Sequence, residues 1–456
     1  MKIIILGAGT VGTTLAISLS QEDNDITVVD KDQSALHHLE EEADINTVNG
    51  SCSYPNTLVN SGIKEADMVV AVTGSDEINI VSCLISKVLS KNVKTIARIR
   101  ESSYLKDRTK RAIEEGVIPV DVVVSPEKLI TKHIKALIET PGSLQVLEFG
   151  DGLLNLVGVR AVKGGPLIGH EIGDLKKHMP NVDTRVAAIF RKGGAIIPKG
   201  TTTVEAGDEV FFIARKKDAR KVINEMRTKE DPYKYVVIAG GGKIGSALAE
   251  QIEDNHTVKI IEANSERAKE ISARLVDTIV LEGNVSDKSL LHEENIEECD
   301  VFVAVTNDDE ANVMSCMLAK EMGAHKVIAL INNEAYVDLV QDKGIDVAIA
   351  PSQITIGTFL SELAGDEVVK VHSLRRGVAE AIETIVKGST NGKGDVIGKE
   401  LGNIRLPVGA TIGAIIRKDK AKIAHDDVKL REHDHVILFL TDKKLLPKVQ
   451  QIFSPS

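Results

Sequence analysis

The sequence predicts an α/β protein of two parallel-sheet domains, each followed by a small α+β module, and three observations carry that prediction. First, Lys2 to Leu6 is a short apolar run that leads directly into Gly7, Gly9 and Gly12 in G-x-G-x-x-G spacing; a helix (Thr13 to Leu19) and a second strand (Ile26 to Val29) ending at Asp30 follow. Second, the same device recurs at Tyr235 to Ala239, with Gly240, Gly242 and Gly245, a helix from Ser246 to Ile252, a strand from Val258 to Ile261, and Glu262. Third, the chain behind each copy changes pattern, to short strands separated by glycine-containing turns.

Each part of the device has a physical job. An apolar run without alternation is the mark of a strand buried on both faces of a parallel sheet. Gly7 allows a tight turn, Gly9 lets a pyrophosphate approach the backbone, and Gly12 lets helix pack on strand, as in the Rossmann dinucleotide fold. Ala8, Thr10 and Val11 complete that loop, and Gly241, Lys243 and Ile244 complete its repeat. The free N–H groups and partial positive charge of the helix N-terminus favour phosphates. Asp30, and Glu262 in the repeat, can accept from both hydroxyls of an adenosine ribose, which favours NAD or NADH over the 2′-phosphorylated pair.

The repeat extends beyond the glycines. Gly7 to Gly240 is an offset of 240 − 7 = 233, and Gly50/Gly283, Asp67/Asp300, Thr73/Thr306, Asn79/Asn312 and Cys83/Cys316 share it. The stretches AVTGSDEINIVSC (71–83) and AVTNDDEANVMSC (304–316) are near copies, so the chain is a tandem duplication.

Taken in order, the first domain (1–125) continues with a helix from Gln33 to Glu40 and a strand from Ile45 to Val48. The turn Asn49-Gly50-Ser51 then lies where an adenine would rest, followed by a short helix from Tyr54 to Asn60. A strand from Asp67 to Val72 leads to Thr73 and Gly74 at its carboxyl end, beside the crevice where strand order reverses. A helix from Asp76 to Leu89, a strand from Lys94 to Ile99 carrying Arg98, a helix from Leu105 to Glu115 and a strand from Val120 to Val124 complete a sheet of predicted order 3-2-1-4-5-6. Asp76 and Glu77 suit the dipole at a helix start. Pro126 opens a crossover helix (126–141) that ends at Pro141-Gly142, and Pro351 opens its copy (351–365), which ends at Gly365. The small module (142–227) has strands at Gln145 to Phe149, Leu153 to Val159, Val186 to Arg191, Ala195 to Pro198 and Glu209 to Ala214, and a closing helix from Ala219 to Met226. A linker (228–234), a second nucleotide-type domain (235–350) and a second small module (366–456) follow.

Composition excludes several classes. Hydrophobic content of 43% and 27% charged residues are ordinary for a soluble protein, and no apolar run reaches the ~18–20 residues of a membrane span. A net charge of −11 argues against nucleic acid as main partner and against direct binding or insertion into an anionic membrane; zero Trp leaves few stacking platforms. The chain opens on a strand rather than a leader, so the cytoplasm is the expected compartment. The four cysteines lack C-x-x-C spacing and read as small buried residues. Neither glycine loop ends in the G-K-[ST] of a P-loop, which disfavours a kinase or ATPase.

The tandem GAGTVG…Asp30 and GGGKIG…Glu262, each followed by the AVT-x-x-DE-x-N-x-x-SC segment and a β-rich module, resembles the TrkA family over the whole chain. These are peripheral NAD-binding subunits of the Trk potassium-uptake systems, built of RCK domains. The residues themselves offer no catalytic constellation; the resemblance raises Glu77 and Glu310 as metal candidates, since some relatives bind divalent ions. It implies a homo-oligomeric ring, dimer or tetramer, docked at the inner face of the membrane under a potassium transporter of the TrkH or TrkG type. NAD or NADH, and ATP or ADP, would set the ring's shape and hence the gate. Residue by residue, the first site is Gly7 to Gly12, Asp30, Ser51 by the adenine, Thr73 and Gly74, and Arg98 toward phosphates; the second is Gly240 to Gly245, Glu262, Asn284 and Thr306. Ala97-Arg98-Ile99-Arg100 aligns with Leu330-Ile331-Asn332-Asn333, so the second fold lacks the arginine and should hold terminal phosphates less well.

The alternative is an NAD-dependent oxidoreductase with duplicated folds. That chemistry needs a general acid or base near the nicotinamide, and the small modules offer no such constellation. Glu77 and Glu310 read as dipole partners rather than metal ligands. His433 and His435 read as a solvated turn, and Lys128, Lys132 and Lys135 as the wet face of the crossover helix.

Overall fold

The computed structural model describes residues 1–20, 24–340, 343–363, 368–374, 379–388 and 396–453. The predicted Gly365 terminus lies outside them. The chain divides into two compact units, Met1–Leu129 with Ile354–Phe359, and Ile130–Gln353 with Leu360–Ser456.

The first unit is built on β1 (Lys2–Leu6), β2 (Asp25–Asp30), β3 (Asn46–Asn49), β4 (Met68–Ala71), β5 (Lys94–Arg98) and β6 (Val122–Val124). They lie in the order β3-β2-β1-β4-β5-β6, all parallel, as the duplicated fingerprint requires. Helices α1 (Thr10–Ser20), α2 (Gln33–Glu42), α3 (Pro55–Asn60), α4 (Asp76–Leu89), α5 (Asp107–Glu114) and the first turn of α6 (Pro126–Glu139) connect and cover the strands. All four residues of β4 are buried because helices flank both faces.

Two local departures from the sequence pattern have physical causes. Helix α1 starts at Thr10, not Thr13, since Gly12 itself must pack inside the helix. The predicted helix over 105–115 is shortened by Asp107, whose φ of 51° interrupts it after a turn at Ser102–Leu105.

In the second unit, β7 (Ser143–Phe149), β8 (Leu154–Arg160), α7 (Leu175–His178), β9 (Thr184–Arg191), β10 (Gly194–Ile196), β11 (Glu209–Arg215) and α8 (Ala219–Met226) form the first small module. The second nucleotide-type fold follows. It comprises β12 (Tyr235–Ala239), α9 (Lys243–Ile252), β13 (Thr257–Glu262), α10 (Ser265–Arg274), β14 (Ile279–Glu282), α11 (Lys288–Glu293) and β15 (Val301–Ala304). It closes with α12 (Asp309–Met322), β16 (Lys326–Leu330), α13 (Glu334–Val340), β17 (Val347–Ile349) and α14 (Pro351–Leu363). Its sheet, β14-β13-β12-β15-β16-β17, repeats the first. The last module is β18 (Val368–Leu374), β19 (Ala379–Ile385), β20 (Ala410–Arg417), β21 (Lys420–Ile423), β22 (His435–Leu440) and α15 (Leu446–Phe453).

The two small modules have matching antiparallel sheets, β10-β9-β11-β8-β7 and β18-β19-β22-β20-β21. They share one core: Phe149, Phe190 and Phe211 of the first pack in the same cluster as Ile416, Ile437 and Phe439 of the second. The fit is close. A Cβ on Gly150, already at φ 55°, would stand 2.2 Å from Ile416 Cδ1. Gln145 Nε2 donates to Ser373 O at 3.0 Å, and Gly150 N to Glu383 Oε2 at 3.3 Å, so the sheets are sewn as well as packed.

Candidate functional site

The candidate residues of each fold gather at the carboxyl ends of its central strands. The glycines differ in what each does. Gly7 and Gly240 have φ of 112° and 103°, a left-handed conformation that disfavours any side chain. A Cβ on Gly12 would stand 1.9 Å from Gly7 O, and one on Gly245 2.0 Å from Gly240 O, so these two glycines are required for helix to meet strand. Gly9 and Gly242 face open space, with no atom within 4 Å of an added Cβ. They are the positions where another molecule's atoms can reach the backbone. Thr10 and Val11, and Lys243 and Ile244, form the first helical turn behind that gap.

The two acids are held in the same bracket. Asp30 accepts from Ala8 N (2.6 Å) and Asp32 N (2.9 Å), one bond per oxygen. Glu262 accepts from Gly241 N and Asn264 N, both at 2.8 Å, in the same manner. Each carboxylate is thereby fixed in orientation, and each oxygen keeps a lone pair for a further donor. Asp30 is partly exposed, whereas Glu262 is buried. Ser51 and Asn284 follow glycines whose N–H groups bond Asp30 O (2.9 Å) and Glu262 O (3.0 Å), which sets both beside the acid.

Thr73 and Thr306 are locked in place. Asn79 Oδ1 accepts from Thr73 N (2.9 Å) and Oγ1 (2.7 Å), while its Nδ2 donates to Thr73 O (3.3 Å) and Arg98 O (2.9 Å). Asn312 repeats this on Thr306 and Leu330 O. Asp76 accepts from Arg100 N and Glu101 N at 2.7–3.0 Å, and Asp309 from Asn332 N and Asn333 N at 2.8–2.9 Å. Sequence reasoning assigned Asp76 to the helix dipole and gave Asn79 no role. Their recurrence at Asp309 and Asn312 was the available signal. Gly74 is exposed at the mouth.

Arg98 distinguishes the folds. Its Nη2 donates to Thr73 O at 2.8 Å, and its Nε is buried without a partner among the described residues. Burial, then neighbouring Arg100, lowers its pKa, so the guanidinium stands short of the anions that would stabilise it. The alignment of Arg98 with Ile331 needs correction by one residue: Asn312 holds Leu330 O as Asn79 holds Arg98 O, so buried Leu330 stands in the place of Arg98 and Ile331 in that of Ile99. Beside them lies a cavity of about 380 Å³ lined by Asp308, Asp309, Glu310, Asn332, Asn333 and Tyr336, among others. The second crevice thus presents Leu330 and Asn332 where the first presents Arg98 and Arg100, while Asp309 and Glu310 match Asp76 and Glu77.

Other expectations need correction. Lys128 and Lys132 are exposed as a wet face requires, Lys132 Nζ also pairing with Glu148 Oε2 at 2.7 Å, but Lys135 is half-buried and its Nζ donates to Gln251 O at 3.1 Å. His435 is not in a solvated turn; it begins β22 with Nδ1 2.8 Å from Oε1 of buried Glu383. His433 does sit in a turn, at φ 63°. Glu77 accepts from Ser75 Oγ at 2.6 Å, which holds its carboxyl below the usual range. All four cysteines are buried free thiols, with Cys83 pushed up to about 12 by burial. Among the described residues no group of three or more His, Cys, Asp or Glu is placed to hold a metal, and no helix is long and apolar enough to cross a membrane.

The TrkA-N domain model matches residues 3–126 and again 236–351, and the TrkA-C domain model matches 156–227. The chain is similar to the Trk system potassium uptake protein TrkA of Halomonas elongata, 53% identical over 453 residues, covering 99% of this chain and 98% of that one. It is likewise similar to the TrkA of Vibrio alginolyticus, 48% identical over 456 residues, covering 100% and 99%. Among solved structures it matches the GsuK RCK domain with a TM-score of 0.62 at 18% identity, covering 100% of this chain and 95% of that one. The GsuK channel bound to NAD gives 0.61 at 19% identity, covering 100% and 79%. The fold is that of the GsuK RCK domain, with the TrkA-N domain carried twice in one chain. Within that class the chain belongs to the TrkA family. Its relatives are named as potassium-uptake proteins and not as enzymes, which sets the oxidoreductase alternative aside.

Proposed function

We propose that this chain is a regulatory subunit that binds NAD or NADH, and ADP or ATP, at its crevices and gates a membrane potassium transporter of the TrkH or TrkG type. The observation that carries the reading is the duplicated bracket: an oriented carboxylate beside a glycine that leaves the helix N-terminus open. The carboxylate takes the ribose hydroxyls, and the glycine backbone takes the pyrophosphate. GsuK, which shares the fold, has been solved with NAD and with ADP, and the family's name supplies the transport system.

The first crevice takes ADP or ATP as well as the dinucleotide, because Arg98 supplies a charge-assisted donor worth roughly 1.5–3 kcal/mol. The second, with Leu330 and Asn332 in place of the two arginines, takes the dinucleotide alone or binds weakly. Opening a mostly shut gate takes about 5.5 kcal/mol of differential binding. One site supplies about 1–3 kcal/mol of coupling, so several sites must add. A homo-oligomeric ring provides them. Exposed Ile78, Val81, Leu84 and Val88 recur along α4, and Met314 and Met317 stand at the duplicate positions of Val81 and Leu84 on α12, an apolar stripe suited to self-association. The ring works at the inner face of the membrane, held there by its partner.

Calorimetric titration of the full chain with NADH and then ADP, with NADH absorbance followed in parallel, tests the reading. Saturable binding without consumption supports it. Steady NADH oxidation with an added carbonyl compound, or no binding at all, refutes it.

A further inference from the structure

Lys326 is a buried cation with an unusual set of partners. It opens β16 as its duplicate Lys94 opens β5, but Lys94 is only half-buried whereas Lys326 is buried. Its ammonium donates to Ser143 O at 2.8 Å and lies 3.5 Å from Leu137 O, 5.8 Å from the centre of the Tyr233 ring. Leu137 O is among the last four carbonyls of α6, which have no partner within their own helix. A side chain from the second nucleotide-type fold therefore caps the helix that leaves the first. The cation also complements the negative end of that helix.

The cap does not act alone. The turn after α6 is gripped by Arg227 Nη1 on Gly142 O (3.0 Å) and by Tyr233, whose hydroxyl accepts from Gly142 N (3.2 Å) and donates to Glu230 (3.0 Å). One turn earlier Lys135 reaches Gln251 O at the carboxyl end of α9. The other end of α9 is the glycine loop of the second crevice. The other end of β16 is Leu330, whose carbonyl is held by Asn312 at that crevice.

At its start, α6 is tied to the first crevice. Arg100 Nε donates to Glu127 Oε1 at 2.6 Å, and Arg100 N is clamped by Asp76, two residues past Arg98. A single helix thus runs from groups beside the first phosphate site to two anchor points on the elements that frame the second.

We infer that the two crevices are energetically coupled through α6, with Lys326 as the positioning residue that fixes its far end to the second fold. This rests on the reading of both crevices as nucleotide sites. A ligand that draws Arg98 and the end of β5 shifts Glu127 and α6; the caps at Lys326 and Lys135 pass that shift to β16 and α9. By linkage the second ligand acts back on the first by the same factor.

The test uses the full chain with ADP as probe. Binding is measured by calorimetry and the response by hydrogen exchange of residues 243–252. ADP should change exchange there by about fivefold or more, within the usual range of coupling between sites. Gly9→Ala should weaken ADP binding by about 10- to 150-fold and lose the response at ADP concentrations that saturate the parent. Lys326→Met should bind ADP within about threefold of the parent yet lose the response, while Lys326→Arg retains part of it; a purely structural lysine would not separate binding from response. Lys135→Met, at a more exposed position, should weaken the response independently of any folding defect in Lys326→Met. ADP that binds but leaves 243–252 unchanged overturns the coupling and spares the site reading. An undiminished response in both lysine variants also overturns it. Failure of ADP to bind overturns both.

Discussion

The same substitution at two glycines three residues apart should have opposite consequences. In Gly12→Ala the new methyl would stand 1.9 Å from Gly7 O, far inside the 3.0 Å below which such contacts do not occur. The neighbour is backbone and cannot rotate away, so α1 must lift from β1. Overpacking costs about 1–3 kcal/mol where side chains can yield, and this case belongs at or above the upper end. In Gly9→Ala the methyl meets nothing within 4 Å. Folding stability should stay within about 1 kcal/mol, since the helix start tolerates either residue at modest cost. The methyl instead occupies the approach of the pyrophosphate. Loss of one charge-assisted hydrogen bond, about 1.5–3 kcal/mol, corresponds to about a 10- to 150-fold weaker NADH complex at that crevice. Urea denaturation of both variants gives the first quantity and calorimetry the second. If Gly9→Ala binds NADH like the parent, or unfolds as readily as Gly12→Ala, the division of labour between the glycines is wrong.

Three further outcomes follow from the geometry. Arg98→Met should weaken ADP at the first crevice by about 10- to 150-fold, from the loss of one charge-assisted partner, and NADH by less; equal losses for the two ligands count against a role at terminal phosphates. Asp76→Ala leaves the N–H groups of Arg100 and Glu101 without their carboxylate, at about 1–3 kcal/mol per group, so denaturation should show a stability loss of that order. Lys326 is pushed down to about 8 by burial, from an ordinary 10.5. Between those values the unfolded chain holds the proton that the folded chain has given up, so stability rises with pH across that window. At 1.36 kcal/mol per unit the gain is about 3 kcal/mol. Lys326→Met should lack that rise, and a parent and variant with parallel pH–stability curves from 8 to 10.5 would contradict it.

The parallel folds were legible because their signals are local and doubled. A glycine triplet between an apolar strand and a helix has few other uses, and an offset of 233 repeats it. The bracket on Asp30 and Glu262 follows from the same motif. What escaped were contacts whose partners are distant in the chain. Nothing around Lys326 in GAHKVIAL distinguishes it from a surface lysine, because the carbonyls it caps lie 183 and 189 residues away. Lys135 was misread for the same reason, its acceptor being 116 residues off. His435 looked like part of a polar turn because the carboxylate that receives it belongs to a neighbouring strand 52 residues earlier. Asp76 was half read: helix-start acids satisfy a dipole anywhere, and only the structure shows this one turned toward the backbone of the next strand's end.

The shared core of the two small modules has an evolutionary consequence. In a dimer of identical chains every substitution appears twice, on both sides of the axis, and neither half can change alone. Here the two sheets that meet through Phe149, Phe211, Ile416 and Phe439 are encoded in one reading frame. Each half can therefore drift independently while their union is preserved. An arginine can persist at 98 while leucine stands at 330, and another at 100 while asparagine stands at 332. Covalent duplication converts a symmetric pair into two different parts of one device.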